Sequence, residues 1–243
     1  VDPPSKEKVA EFQSLLYYYR EYFRVIDKFH FNSFQTREKF EAFLCPLEGE
    51  VIPVVTKGIA DRRRSLEFHD RITFGYIGAP DDYKGFPMLK RVVCELYEEG
   101  IRNITIKAYG SQNMGIDEDC PLIEYCGMYK YSDISDVLYH LDGIVVPSKC
   151  YETFSLVTLE SLAHGRPAIV SDHVGAKDIV KKITPELIFS SGDELKEILM
   201  KCISDPDYLP MLNHKILSEE WKYGLSENAK EILDLYRELL RVL

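Results

Sequence analysis

From residue 72 onward the chain alternates short runs rich in Val and Ile with stretches of helical spacing, and this alternation restricts the fold more than any other feature. Strands are predicted at residues 72–77, 104–108, 122–126, 143–146, 168–171 and 187–190. Helices are predicted at 86–98, 134–140, 154–163 and 177–181, with three more closing the chain. Parallel strands need a crossover between them, and strands covered on both faces read as continuous apolar runs. The pattern therefore specifies an α/β domain, a doubly wound, Rossmann-like parallel sheet. Residues between the strand at 104–108 and Asp119 are polar and read as a loop.

Upstream, Val9, Phe12, Leu15, Leu16, Tyr19, Phe23 and Ile26 recur at helical spacing, which predicts an amphipathic helix over 5–26 with Ser5 as its N-cap. A strand at 29–32, a helix at 36–43 and a strand at 51–55 would make a βαβ-like unit too small to fold alone, so it should dock on a larger body. Residues 56–70 lose apolar content, gain charge and contain Gly58, which marks a connector. Val1 follows no signal-like start and reads as a cut inside a longer protein.

Composition narrows the partners. A formal net charge of -10 opposes a broad phosphate-backbone footprint, so no nucleic-acid partner is expected. The basic run Arg62, Arg63 and Arg64 reads as a solvated linker. Six cysteines (Cys45, Cys94, Cys120, Cys126, Cys150, Cys202) form neither a CxxC pair nor a zinc spacing with His, which fits reduced thiols in the cytoplasm. His140, His164 and His173 read as ordinary helix-end or loop residues. No run approaches the ~20 apolar residues of a membrane-spanning helix.

In open α/β sheets ligands bind beyond the carboxyl ends of strands, where loops enter helices. Two such loops hold candidate chemistry. The first runs from Gly78 to Gly85, and Lys84, beside a glycine at a helix mouth, could set an ammonium against phosphate oxygens. On this loop alone a solvated Lys84 beside a simple turn Gly85 is the stronger reading, and the GxxxxGK[ST] phosphate loop is absent. The second runs from Pro147 to Ser155. The amides of Thr153, Phe154, Ser155 and Leu156 would be the orphan donors of the following helix, aimed at an anion. Glu152 stands at the mouth of that helix and Glu160 eight residues on, roughly 12 Å along its axis. Carboxylates suit vicinal hydroxyls, so Glu160 suits a ribose and Glu152 the transferred sugar; taken singly, an ordinary dipole-complementing residue at 152 and an exposed helix glutamate at 160 stay open readings. A glutamate inside so apolar a helix needs a partner.

The stretch PSKCYETFSLVTLESLAHGRPAIVSDHVGA resembles the signature of the large retaining GT-B glycosyltransferase family called group 1, with its two glutamates at Glu152 and Glu160. Gly78, Lys84-Gly85, Gly110 and Gly127 fall where that family has glycines and a Lys-Gly pair, and residues 27–59 resemble the end of its N-terminal domain and linker. The resemblance implies donor-diphosphate binding by Lys84, sugar hydroxyls on Glu152, ribose on Glu160, and backbone amides from Phe154, Ser155 and Leu156. It also implies a base site at Gly127, with Met128 against the base. It implies Lys84 and Glu152 as the catalytic pair and no metal or other cofactor. Asp117-Glu118-Asp119 only superficially resembles a metal-binding DxD.

The implied division is 1–60 for the end of the N-terminal acceptor domain and linker, 61–222 for the nucleotide-sugar-binding domain, and 223–243 for a helix crossing back. Trp221, Tyr223, Leu233, Tyr236, Leu239 and Leu240 would pack in the core. The implied partners are a nucleotide-sugar donor, an acceptor glycan or glycoconjugate, and the rest of the N-terminal domain, through which peripheral membrane association could arise. The acceptor site would precede Val1, so the expectation is a chain that binds nucleoside diphosphate and transfers sugar poorly. Ala79 replaces an Arg that the family commonly carries. A related nucleotide-sugar epimerase and a noncatalytic binding module are the alternative readings.

Overall fold

A computed structural model describes residues 5–44, 46–57, 59–66 and 70–242, leaving Val1, Cys45 and Gly58 outside the described residues. The chain opens with helix α1 (Lys6–Phe23), capped by the Ser5 side chain, which accepts from the Lys8 amide. No residue of α1 is buried, and the helix stops three residues short of the predicted end. Strand β1 (Phe29–Phe31), helix α2 (Phe34–Phe43) and strand β2 (Gly49–Val51) follow, and β1 and β2 pair in parallel. The predicted strand at 51–55 lies too late because pairing to β1 fixes the register at Phe29 with Gly49. Helix α2 starts two residues earlier than predicted because Ser33 caps it, accepting from the Thr36 amide.

The main body contains β3 (Ile72–Ile77), α3 (Phe86–Glu98), β4 (Ile104–Tyr109), β5 (Met114–Ile116), β6 (Ile123–Gly127), α4 (Ile134–Tyr139) and β7 (Gly143–Val146). It continues with α5 (Leu156–Ala163), β8 (Ala168–Ser171), α6 (Lys177–Ile183), β9 (Ile188–Phe189), α7 (Gly192–Ser204), α8 (Tyr208–Ser218) and α9 (Leu225–Val242). The sheet order is β5-β6-β4-β3-β7-β8-β9. Six strands run parallel in the doubly wound order, outward from β3 in both directions. The exception is β5, an antiparallel edge strand on β6 inside the stretch read as a loop. Its Met-Gly-Ile sequence is exposed throughout and so has no apolar alternation to announce it.

Phe74, Leu89, Ile106, Ile144, Leu159 and Ile169 are buried, so helices cover both faces of the sheet. The closing helices depart from the expectation of core packing. Trp221 and Tyr223 pack against the core, but Leu233, Tyr236 and Leu240 are exposed, because α9 turns Leu235 inward instead. Helix α9 instead reaches the N-terminal unit, with Lys28 Nζ 2.9 Å from Glu238 Oε2 and Asn228 Nδ2 2.8 Å from the Pro53 carbonyl. The basic run is also more than a solvated linker. Arg63 donates to the carbonyls of Ile216 (2.6 Å) and Glu219 (2.7 Å) and pins the connector to the end of α8. No helix among the described residues is long and apolar enough to cross a membrane.

Candidate functional site

Strand order reverses between β3 and β7, so the loops leaving these neighbours diverge and open a crevice at their carboxyl ends. Gly85 holds the loops close. Its φ of +73° suits glycine, and a Cβ there would fall 1.7 Å from the Pro147 carbonyl oxygen. With no side chain in the way, α3 begins against the second loop. The crevice, about 280 Å³, is lined by Gly78, Lys84, Ser148, Glu152, Ser155 and Leu156 among others.

Lys84 and Glu152, 68 residues apart in sequence, meet here: Nζ donates to Oε1 at 2.8 Å. The same oxygen accepts from Ser148 Oγ at 2.5 Å. Partial burial opposes the Lys84 ammonium, but the hydrogen bond and charge of Glu152 outweigh it, and the Lys84 pKa is raised. Lys84 is thus an ion-paired cation whose side chain stays 44% exposed. A reciprocal pair crosses the same gap, with Lys149 of the second loop 2.5 Å from Asp82 of the first. At Ala79 the backbone carbonyl accepts from the Tyr76 hydroxyl, and among the crevice-lining residues Lys84 is the only cation.

The second loop departs from its predicted form. Helix α5 begins at Leu156 instead of 154, with Ser155 as N-cap at φ 98°. Thr153 and Phe154 are held outside the helix, because Glu152 bridges Val174 in parallel and the Phe154 carbonyl accepts from the Ala176 amide at 2.6 Å. The helix-start donors are therefore the amides of Ser155, Leu156, Val157 and Thr158, while Thr153 and Phe154 precede the helix. Ser155 is the one non-glycine residue at positive φ among those described.

Glu160 is 3% exposed. Its Oε1 accepts from the Tyr131 hydroxyl at 2.7 Å, and that hydroxyl lies 2.9 Å from Thr56 Oγ1 in the connector. Burial raises the Glu160 pKa, and the Tyr131 hydrogen bond works against that shift. One turn on, His164 lies buried at the end of α5 with Nδ1 2.7 Å from the Glu160 carbonyl. Burial lowers its pKa, which favours a neutral ring.

A Cβ at Gly78 would meet the Tyr76 hydroxyl at 3.7 Å, an ordinary van der Waals contact. Gly110 (φ +101°) sits directly behind it, since a Cβ would lie 2.8 Å from the Gly78 oxygen. Gly127 ends β6 and its carbonyl accepts from the Gly110 amide. The next residue, Met128, is 70% exposed. Asp117 lies by the opposite end of β6, held by Lys90 (2.8 Å), Tyr125 (2.9 Å) and two backbone amides, an arrangement that anchors the edge strand. Among the described residues no three His, Cys, Asp or Glu side chains gather as a metal site requires.

Several contributors carry no obvious sequence mark. Ser148 lies in the quoted loop without a role until its hydroxyl is seen on Glu152. Tyr131 belongs to a polar run with no motif. Gln35, Ser33 and Thr36 come from the N-terminal unit and bond the backbone at Glu152, Thr153 and His173.

The family model described as Glycosyl transferases group 1 matches residues 71–205, more than half of the chain. An uncharacterized glycosyltransferase of Methanocaldococcus jannaschii is 22% identical over 189 residues, covering 74% of this chain and 46% of the relative. Among solved structures, sucrose-phosphate synthase of Thermosynechococcus elongatus superposes with a TM-score of 0.72 at 18% identity, over 95% of this chain and 63% of that one. HepE of Anabaena, solved in complex with UDP and glucose, gives a TM-score of 0.65 at 16% identity, over 85% and 62%. The chain thus spans less than two thirds of each of these proteins.

Proposed function

We propose, from the premise that the chain belongs to the Glycosyl transferases group 1 family, that it forms the donor-binding part of an enzyme transferring sugar from a nucleoside-diphosphate sugar to a hydroxyl acceptor with retention. The observation that carries the proposal is the 2.8 Å pair of Lys84 and Glu152 across the reversal point of the sheet. In this reading the donor diphosphate takes over the Lys84 ammonium and the amides of Leu156 to Thr158. Both the charge and the helix start favour an anion there. Glu152, released from Lys84, accepts hydrogen bonds from hydroxyls of the transferred sugar. Glu160 accepts from the ribose in place of Tyr131, as acidic residues do in dinucleotide folds.

Reaction breaks the bond between the anomeric carbon and the diphosphate oxygen and forms one to the acceptor oxygen, whose proton leaves. Negative charge grows on the departing diphosphate, so preorganised donors at that point lower the barrier. The chain spans less than two thirds of each relative it matches and none of its residues is assigned to the acceptor side, so sugar transfer is proposed for an enzyme that contains it. The UDP bound to the Anabaena protein makes UDP the first nucleotide to try.

Calorimetric titration of the chain with UDP, GDP and ADP tests the reading. One of them is expected to bind, and Lys84→Ala should weaken it roughly 10- to 100-fold, the loss of hydrogen bonds to a charged group. No binding by any of the three, or equal binding by the variant, would overturn it. In an active enzyme that contains this chain, a product sugar of inverted anomeric configuration would remove the claim of retention.

A further inference from the structure

Gln35 is the second residue of α2, in the N-terminal unit, yet it is 3% exposed and its side-chain hydrogen bonds reach the other body. Its Nε2 donates to the His173 carbonyl at 2.6 Å and to the Glu152 carbonyl at 3.2 Å. Its Oε1 accepts from Lys177 Nζ at 2.8 Å, and Lys177 also donates to the Asp172 carbonyl. Both donor hydrogens and an acceptor position of the amide are in use, which is what makes its burial tolerable.

Two neighbours extend the hold. Ser33 Oγ and Thr36 Oγ1 both donate to the Thr153 carbonyl, at 2.8 and 2.9 Å. Gly175 admits the approach, since a Cβ there would stand 2.5 Å from the Thr153 oxygen and 2.7 Å from Ser33 Oγ. From the far side the Glu152 amide donates to the His173 carbonyl at 2.9 Å. The peptide groups on both sides of Glu152 are therefore fixed, one by the 172–176 loop and the other by Gln35. A side chain that only filled space here would be apolar, because a buried amide gains little over its desolvation unless its bonds are made. Among the described residues, none of the hydrogen bonds from α2 ends on Lys84, Glu160 or the amides of Leu156 to Thr158.

We infer that Gln35 is a positioning residue for sugar recognition: the N-terminal unit, through this one amide, sets the carboxylate of Glu152 opposite Lys84, while the nucleotide-facing groups are set without it. The inference rests on the proposed reading of Glu152. Its signature is a split that general destabilisation would not produce. The affinity gained by adding a sugar to the nucleotide depends on Gln35, and affinity for the bare diphosphate does not.

The experiment titrates the chain calorimetrically with UDP, GDP and ADP and with UDP-, GDP- and ADP-glucose, using the pair with the largest sugar-dependent difference. Gln35→Leu removes the amide at similar volume. Gln35→Glu keeps the acceptor for Lys177 and loses both donors, so the fold has a second route to survival. Thr36→Val, at a partly exposed position, removes one of the two hydroxyls on Thr153. In the two Gln35 variants bare-diphosphate affinity should stay within about 2-fold of the parent, and the sugar-dependent gain should fall about 10-fold, the size of one lost hydrogen bond. Thr36→Val should lower the same gain by less. A gain unchanged in the Gln35 variants, or a parallel fall for both ligands, overturns the inference. If Glu152→Ala leaves the gain intact, or no pair shows one, the reading of Glu152 fails as well. If Glu152→Ala abolishes it and the Gln35 variants do not, Gln35 alone is ruled out.

Discussion

Glu152 and Glu160 belong to one motif, eight residues apart, and the fold gives them opposite surroundings. Glu152 lies on an extended segment before α5, with Lys84 and Ser148 on one carboxylate oxygen and its backbone clamped from two sides. Glu160 lies within the helix, almost wholly covered, with a phenol hydroxyl as its hydrogen-bonding neighbour and no cation in contact among the described residues. One carboxylate is held by charge at the edge of a crevice, and the other by burial beside it. A group paired with a cation can exchange that partner for a ligand with little change in local charge. A buried carboxylate opposite a neutral donor gains most from a ligand that brings more hydroxyls. The difference suits the proposed roles, the transferred sugar on the first and a neutral polyol, the ribose, on the second.

The largest effect that could break this contrast is on turnover. In an active enzyme that contains this chain, Glu152→Ala is expected to reduce kcat by about 100- to 1000-fold, comparable to the removal of one preorganised electrostatic group from an active site. Steady-state rates with a sugar-nucleotide donor read this directly. Undiminished turnover would favour the noncatalytic-module reading, in which the pair at the crevice is a structural bridge. A smaller effect concerns the nucleotide. Glu160→Ala should weaken nucleoside-diphosphate binding by about 1.5 to 3 kcal/mol, the worth of hydrogen bonds to a charged acceptor. Titration with the bare diphosphate checks this without any acceptor, and unchanged affinity would separate Glu160 from the ribose.

Stability sharpens the same comparison. Burial raises the Glu160 pKa in the folded chain above its unfolded value, with Tyr131 opposing. For such an acid the favourable contribution of the neutral form is complete below the unfolded pKa and is lost as pH rises through the folded one. Glu160→Gln is neutral at every pH and keeps an oxygen for Tyr131. It should match the parent in acid, exceed it increasingly as pH rises through that window, and keep a constant advantage above it. Urea midpoints from acid to neutral pH measure the gap. A gap that narrows toward neutrality would mean that the buried carboxylate is better solvated than its surroundings imply.

Why the sequence disclosed one part of this site and hid another has a physical basis. Strands at 72–77 and 143–146 and the helix at 86–98 coincide with β3, β7 and α3, because continuous apolar runs and 3.6-residue spacing are local signals. Once those strands are placed, the reversal rule brings Lys84 and Glu152 to one crevice without further information. Gln35 could not be found in that way. On a helix whose apolar Phe34 and Phe43 are exposed, a buried glutamine contradicts the pattern, and only docking of α2 on the 172–176 loop explains it. The start of α5 was misplaced for a related reason. Residues 154 and 155 have helical composition, but bonds to Ala176 and the bridge at Glu152 keep the chain extended until Ser155 turns it.

That turn supplies the smallest expected effect and the one most specific to the loop holding Glu152. Ser155 has φ 98° and ψ 90°, outside the regions that residues with a Cβ adopt readily. Such strain persists where surrounding structure enforces it and costs about 1 to 3 kcal/mol. Glycine would relieve it, offset by the loss of the Ser155 Oγ contact with Thr158 Oγ1 at 2.9 Å and by the greater freedom of glycine in the unfolded chain. Ser155→Gly should therefore raise stability by about 1 kcal/mol, or ~2–4 °C in Tm for a chain of this size. Ser155→Val should lower it, because a β-branched side chain fits this backbone least. A glycine variant that melts below the parent would show that the hydroxyl contact outweighs the strain. The loop would then be held by side-chain bonds within α5 as much as by the clamp around Glu152.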